Sequence, residues 1–396
     1  MSKKRNFTKK KGSKSLFTVM MLLLCFGLIM ITNATSVSSS NLYGSPYRFA
    51  ILQLGWVIAG LICFIIFYNL DYKKISKVSR GLFIFTLISL VILAIAGVLP
   101  CSSSAKFPFA PCINGANRWL YINPPPLPEI PFLGVVGFQP GELAKLAIVL
   151  YMSSRLSLIS QKGGKKVENQ KESLVAYLKI SVLVAGLIIL QPNMSTATLV
   201  FVLGTIVYFS SGAPIKPIIG IFIGAFILGV LFMVSSKYRL ERLKAMLPGG
   251  GDSESSYHVT QALVALGSGG ISGVGFGQSK QKYQYLPEVA SDSIFAIIGE
   301  EFGFIGTVTV IILYFYLIYM GFKIADNSED MLGKLIAVGI SSWFGIQFFI
   351  NVASMTKIIP MTGVPIPLIS YGGSSMIFSL TGLGILANIQ KQSELY

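Results

Sequence analysis

Residues 294–320 read IFAIIGEEFGFIGTVTVIILYFYLIYM, a stretch whose only charged residues are the adjacent pair Glu300 and Glu301. It exceeds the roughly 20 residues needed to cross about 30 Å of hydrocarbon. Its apolar residues run on without the alternation of a water-facing helix. Outward from it, comparable runs fall at 16–34, 49–68, 81–99, 141–158, 174–190, 197–211, 215–235, 335–355 and 376–389. Hydrophobic residues make up 53% of the chain and charged residues 12%, where a soluble domain has about 25% charged. There is too little charge to cover a water-facing exterior of this size. The reading is an all-α, polytopic membrane protein with ten predicted transmembrane helices.

Orientation follows from the basic residues. The segment 1–15 carries seven Lys/Arg, which makes it a basic cytoplasmic tail. The apolar run behind it is long for a signal peptide and is read as an uncleaved first helix. Ten spans place both termini in the cytoplasm, with the transmembrane domain at 16–389 and a short tail at 390–396. On that topology 20 Lys/Arg fall on the cytoplasmic side and 10 outside, while Lys145 and Lys179 lie inside spans. The asymmetry obeys the positive-inside rule. The net charge of +16 is therefore orienting charge, and a nucleic-acid partner is excluded.

Two external segments are long. Residues 100–140 are proline-rich, and 237–293 joins the seventh and eighth spans with a glycine-rich part from Gly267 to Gly277. Long loops in compact folds are usually functional or disordered. The second loop holds Lys237, Arg239, Arg242, Lys244, Lys280 and Lys282, either tolerated surface charge or an anion site. Cys25 and Cys63 read as packing residues, whereas Cys101 and Cys112 share an external loop where a disulfide is permitted. No Gly-Lys-Ser/Thr follows the glycines, so they are no phosphate loop. His258 is the only histidine, which argues against a histidine-based metal cluster or a Ser-His-Asp triad.

Ionisable groups at membrane depth are functional hypotheses by default. Glu142 and Lys145 share a helix face at i and i+3, as a self-neutralising pair or as the wall of a headgroup cavity. Glu300 and Glu301 point about 100° apart on a helix, so they are expected in different environments. Asp292 stands where the long external loop meets the eighth span. Partial desolvation there would raise its basicity, and the competing role is a helix N-cap.

Several blocks together resemble the SEDS family, the polytopic cell-wall proteins FtsW, RodA and SpoVE. One runs Gln281-Lys282, Tyr285-Leu286-Pro287-Glu288, Asp292 and Ile294-Phe295-Ala296-Ile297-Ile298-Gly299-Glu300-Glu301. A second runs from Pro360-Met361-Thr362-Gly363-Val364-Pro365 through Ser370-Tyr371-Gly372-Gly373-Ser374-Ser375. Asn114-Gly115-Ala116-Asn117-Arg118-Trp119, Phe138-Gln139-Pro140-Gly141-Glu142-Leu143-Ala144-Lys145 and Tyr238-Arg239-Leu240-Glu241-Arg242-Leu243 complete the set. Departures are Ser291-Asp292-Ser293 for the family's Thr-Asp-Phe, and Gln191-Pro192-Asn193 for its Gln-Pro-Asp. Gly141 stands where Ser is common, and Pro124-Pro125-Pro126 belongs to an apparent insertion.

The resemblance implies a peptidoglycan glycosyltransferase that polymerises lipid II on the outer face of the bacterial cytoplasmic membrane. It implies Asp292 as general base and undecaprenyl pyrophosphate as leaving group. Arg118, Lys145, Arg239, Arg242 and Lys282 would neutralise pyrophosphate, with a divalent cation such as Mg2+ or Mn2+ as a further candidate. Glu142, Glu288, Ser370 and Tyr371 are the further substrate-binding candidates. The implied partners are a class B penicillin-binding transpeptidase and other divisome proteins at the septum. The alternatives are a RodA-type elongation polymerase, a lipid II flippase or other lipid transporter, and a non-enzymatic division scaffold.

Overall fold

The computed structural model describes residues 11–98, 107–113, 115–130, 134–161, 166–213, 254–283 and 285–395, with a few single positions between 217 and 240. The expected seventh span at 215–235 falls, apart from those positions, outside the described residues, as do Asn114, Tyr238, Arg239, Arg242 and Cys101.

The chain runs α1 (Lys11–Tyr43), α2 (Arg48–Asn69), α3 (Tyr72–Val98), β1 (Leu120–Tyr121), β2 (Gly137–Phe138), α4 (Pro140–Gln161), α5 (Lys166–Ile189) and α6 (Met194–Ser210). It continues through α7 (Glu254–Ser268), α8 (Ile294–Asp326), α9 (Met331–Met355) and α10 (Gly373–Leu395). Among the described residues seven helices are long and apolar enough to cross a membrane: α1 to α5, α8 and α9. α6 is apolar but shorter. The protein is a mostly helical, multi-pass membrane protein.

α1 outlasts its apolar run and stays helical to Tyr43, its small hydroxyl residues finding acceptors along the helix itself. Thr32 and Thr35 return their hydroxyls to Leu28 and Ile31 carbonyls, and Ser36 and Ser38 do the same one turn back. α4 and α9 form the centre and are buried on nearly every side, as helices apolar all round must be. α4 packs on α3, α5, α6 and α9, while α10 lies along α2. Between α3 and α4, β1 and β2 pair antiparallel, Leu120 opposite Phe138. Cys112 there is disulfide-bonded, whereas Cys25 and Cys63 are free thiols.

The second long loop, read from the sequence only as long and glycine-rich, contains α7 and a backbone splint. α8 breaks at Gly303, whose φ is +63° and ψ −159°. The groups this break frees are taken up by the glycine-rich segment. Phe304 and Ile305 amides donate to Gly270 and Ile271 carbonyls at 2.9 and 3.1 Å. Val274 and Gly275 amides donate to Glu300 and Glu301 carbonyls at 3.0 and 3.1 Å. Unpaired backbone groups cost several kcal/mol in lipid, so a break at membrane depth survives only when other backbone satisfies it. The approach excludes side chains: a β-carbon on Gly273 would lie 2.1 Å from the Glu301 carbonyl oxygen.

The expectation that Glu300 and Glu301 face different environments is corrected by the same segment, which curls around both. Glu300 accepts from Ser279 Oγ and from the amides of Lys280 and Gln281. Glu301 accepts from the Ser279 amide and Asn33 Nδ2, and it lies 3.8 Å from Lys282 Nζ.

Candidate active site

Pro140 opens α4 at the first helical position, where its missing N–H is no loss, and the Gln139 amide ties this entry to Ser374 Oγ at 3.0 Å. One turn in, Lys145 Nζ lies 2.7 Å from Glu142 Oε1 and 2.7 Å from Gln347 Oε1 on α9. It also stands 5.2 Å from the Trp343 ring centroid. Both charges are buried, Glu142 at 5% and Lys145 at 1% exposure. Such a pair persists because each charge offsets the other's desolvation.

A cavity of about 380 Å³ opens above this pair, lined by Arg118, Glu142, Lys145, Asn193, Thr362 and Gly363 among others. Arg118 arrives from the segment between α3 and α4 and donates from Nη2 to the Pro192 carbonyl at 2.6 Å. Asn193 caps α6 by accepting from the Thr196 amide at 3.3 Å. Among the described residues Glu142 Oε2 and Thr362 Oγ1 have no hydrogen-bond partner. The cavity thus combines two cations, one carboxylate with an uncommitted oxygen, and small polar groups. Such a lining suits an anionic, hydroxyl-bearing ligand.

The far wall is the segment between α9 and α10. Ser195 Oγ donates to the Thr362 carbonyl at 2.8 Å, and Gln347 Nε2 to the Pro365 carbonyl at 2.8 Å. Asn351 Nδ2 reaches the Val364 carbonyl at 2.7 Å. Gly363 adopts φ +66°, a conformation that favours glycine.

Asp292 lies behind this wall. It does not line the cavity, but a β-carbon built on Gly363 would stand 3.6 Å from Asp292 Oδ2. Asp292 is 6% exposed. The N-cap alternative is set aside, because the cap position of α8 belongs to Ser293. Ser293 Oγ donates to the Pro287 carbonyl at 2.9 Å and meets His258 Nε2 at 2.7 Å. His258 therefore belongs to the surroundings of Asp292. Sequence reasoning set it aside, since α7 was not recognised as a helix packed against α8.

The other candidates are placed as follows. Lys282 is 5% exposed and faces away from the cavity. Its ammonium donates to Asn33 Oδ1 at 2.8 Å and the Gly277 carbonyl at 2.6 Å, beside Glu301. Glu288 is exposed at φ +50° and accepts from Ser291 Oγ at 2.8 Å, next to Asp292. Ser370 Oγ accepts from the Ile366 amide at 2.8 Å, and Gln53 grips the Ser370 carbonyl and the Gly372 amide. Tyr371 packs edge-on against Phe49. Its phenol is pushed up to about 12, by burial first and by nearby Tyr43, against the opposing pull of Arg48. It therefore remains a hydroxyl at neutral pH. Among the described residues no three His, Cys, Asp or Glu converge. Among the described residues that line the cavity one carboxylate stands beside two cations, a donor set that does not by itself make a divalent-cation site.

The fold and this cavity define a class: a many-spanning membrane protein with a charged, ligand-sized chamber walled in part by the segments that join its helices. A family model described as cell cycle protein, covering FtsW, RodA and SpoVE, matches residues 13–395. The probable peptidoglycan glycosyltransferase FtsW of Geobacter sp. (strain M18) is 31% identical, over 93% of this chain and 94% of that protein. Stage V sporulation protein E of Bacillus subtilis (strain 168) is 33% identical, over 98% and 99%. Two solved structures share the fold. One is a chain of a peptidoglycan synthase complex that coordinates polymerization and crosslinking (TM-score 0.70, 23% identity, 96% of this chain and 97% of that one). The other is the rod shape determining protein RodA of Thermus thermophilus (TM-score 0.65, 22% identity, 95% and 96%). The chain belongs to the FtsW, RodA and SpoVE family.

Proposed function

We propose that this chain is a peptidoglycan glycosyltransferase that joins lipid II units into glycan strands at the outer face of the bacterial cytoplasmic membrane, at the division septum. In this reading ten spans put both termini in the cytoplasm, with 215–235 as the seventh. The names of the FtsW relatives support the activity. The observation that carries it is the cavity itself: Arg118, Lys145 and the open oxygen of Glu142, with Asp292 held against its wall behind Gly363.

The acceptor sugar's 4-hydroxyl oxygen attacks the donor's anomeric carbon from the face opposite the lipid pyrophosphate, so the configuration inverts. Asp292 takes the hydroxyl proton as the new C–O bond forms, and the bond to pyrophosphate breaks. Pyrophosphate leaves as an anion and needs no proton, so one base suffices where glycosidases need two carboxyl groups. Arg118 and Lys145 stabilise the charge that develops on it. Arg239 and Arg242, outside the described residues, are proposed to join them from the 237–293 loop. Glu142 holds Lys145 in place and offers its second oxygen to a sugar or peptide hydroxyl or amide. A class B penicillin-binding transpeptidase is the proposed partner, supported by the fold neighbour solved within a synthase complex.

The test is reconstitution. Purified chain with its transpeptidase and lipid II is expected to yield glycan strands that a muramidase degrades. Translocation of lipid II across vesicles without any polymer would instead make the protein a transporter.

A further inference from the structure

Gln347 and Asn351 stand one turn apart on the buried face of α9, both fully inaccessible. Each grips the cavity wall, but the second partner differs. Gln347 donates to the Pro365 carbonyl, and its Oε1 receives Lys145 Nζ at 2.7 Å and Trp343 Nε1 at 2.6 Å. It links the wall to the cavity's cation. Asn351 Nδ2 donates to the Val364 carbonyl at 2.7 Å and to the Asp292 carbonyl at 2.7 Å. It links the wall to the backbone of the proposed base.

One NH2 group thereby joins two strands of chain that lie 59 residues before it and 13 after it. A short primary amide suits this task. Aspartate has no hydrogen to donate, serine has one, and leucine has none. Among the described residues the Asn351 Oδ1 has no partner. Burying an unpaired polar oxygen is unfavourable, so packing alone does not call for an amide here; its two donors do.

The neighbour of Val364 is Gly363, the residue set against the Asp292 carboxylate. Any slip between the two clipped strands changes where that carboxylate stands relative to the cavity. A general base works only within hydrogen-bond reach of the proton it takes.

We propose that Asn351 is a positioning residue for Asp292, fixing the carboxylate against the cavity wall, while Gln347 serves the ligand side of the same wall. The inference rests on the reading of Asp292 as base. The experiment measures polymerisation kinetics of the purified complex with lipid II, for Asn351→Leu, Asn351→Ser, Gln347→Leu and Asp292→Asn, each with its melting temperature. Asn351→Leu is expected to lower kcat by about 10²-fold, the size of effect that follows a 1 Å misplacement, with KM within about twofold. Asn351→Ser, keeping one donor, is expected to fall between it and wild type, and it carries the test if the leucine variant does not fold. Gln347→Leu is expected to act on KM instead. In the Asp292→Asn background, Asn351→Leu should lower the residual rate no further.

Wild-type kcat in both Asn351 variants overturns the proposal. So does a joint loss of kcat, KM and melting temperature, which a merely structural role would give. An additional loss in the Asp292→Asn background shows that Asn351 does not act through Asp292 and overturns it too. Wild-type turnover by Asp292→Asn itself removes the base, and the positioning role with it, whatever the Asn351 variants do.

Discussion

Two buried clusters in this protein pair a lysine with glutamate, and they are built to opposite ends. At the break in α8, Lys282 meets Glu301, Asn33 and the Gly277 carbonyl, while Glu300 takes hydrogen bonds from three donors of the 279–281 segment. That cluster is closed. In the cavity, Lys145 holds one oxygen of Glu142 and leaves the other without a partner. A closed network rigidifies the backbone around it, whereas an open one keeps capacity for a ligand. The same residue types thus serve as a splint in one place and as a binding wall in the other. Satisfaction of their hydrogen bonds, not their charge, tells them apart.

The contrast is open to direct challenge. Lys282→Met leaves Glu301 buried without its cation, and breaking a buried pair costs about 3–5 kcal/mol. Its melting temperature in detergent is expected to fall sharply. If Lys282→Met keeps its stability and loses only polymerisation, the splint reading fails.

The cavity pair should behave the other way. Replacing both charges, Glu142→Leu with Lys145→Met, is expected to leave stability near wild type, because apolar replacements of buried pairs are often neutral or better. Turnover should drop by about 10²–10³-fold, the scale of losing an electrostatic stabiliser. A double variant that polymerises normally would make this pair mere packing.

Gly303→Ala gives the smallest effect. Its left-handed backbone makes a β-carbon strained, a cost of about 1–3 kcal/mol. The contact with Gly273, 2.4 Å from that β-carbon, adds to it. Amide exchange should quicken at Phe304 and Ile305, whose partners the splint supplies. Unchanged exchange there would show that the glycine segment does not hold the break.

Much of the scaffold was legible in the sequence, because apolar runs of spanning length admit few alternatives. The starts of α4 and α8 follow from such runs, whereas the grouping of Arg118 with Lys145 comes from the resemblance, which also puts Lys282 with them although it does not line the cavity. What escaped were contacts between residues far apart in the chain. Lys282 sits in a polar loop and reads as surface charge or as part of an anion site, yet its partner Asn33 is 249 residues away. The glycines at 267–277 show neither motif nor period, since they act through backbone bonds to a helix break that no local pattern announces. α7 went unrecognised inside a loop read only as long and glycine-rich, and His258 with it. Asn351 looks like any polar residue in a buried helix until both of its acceptors are in view.

The central claim is that Asp292, walled behind Gly363, is the base for glycan transfer. The measurement that tests it most directly is polymerisation of lipid II by purified Asp292→Asn with the transpeptidase, alongside lipid II binding and melting temperature. Loss of general-base catalysis typically costs about 10²–10⁴-fold. The expected result is a drop of that size, with binding and stability near wild type. Glycan strands made at the wild-type rate would contradict the account.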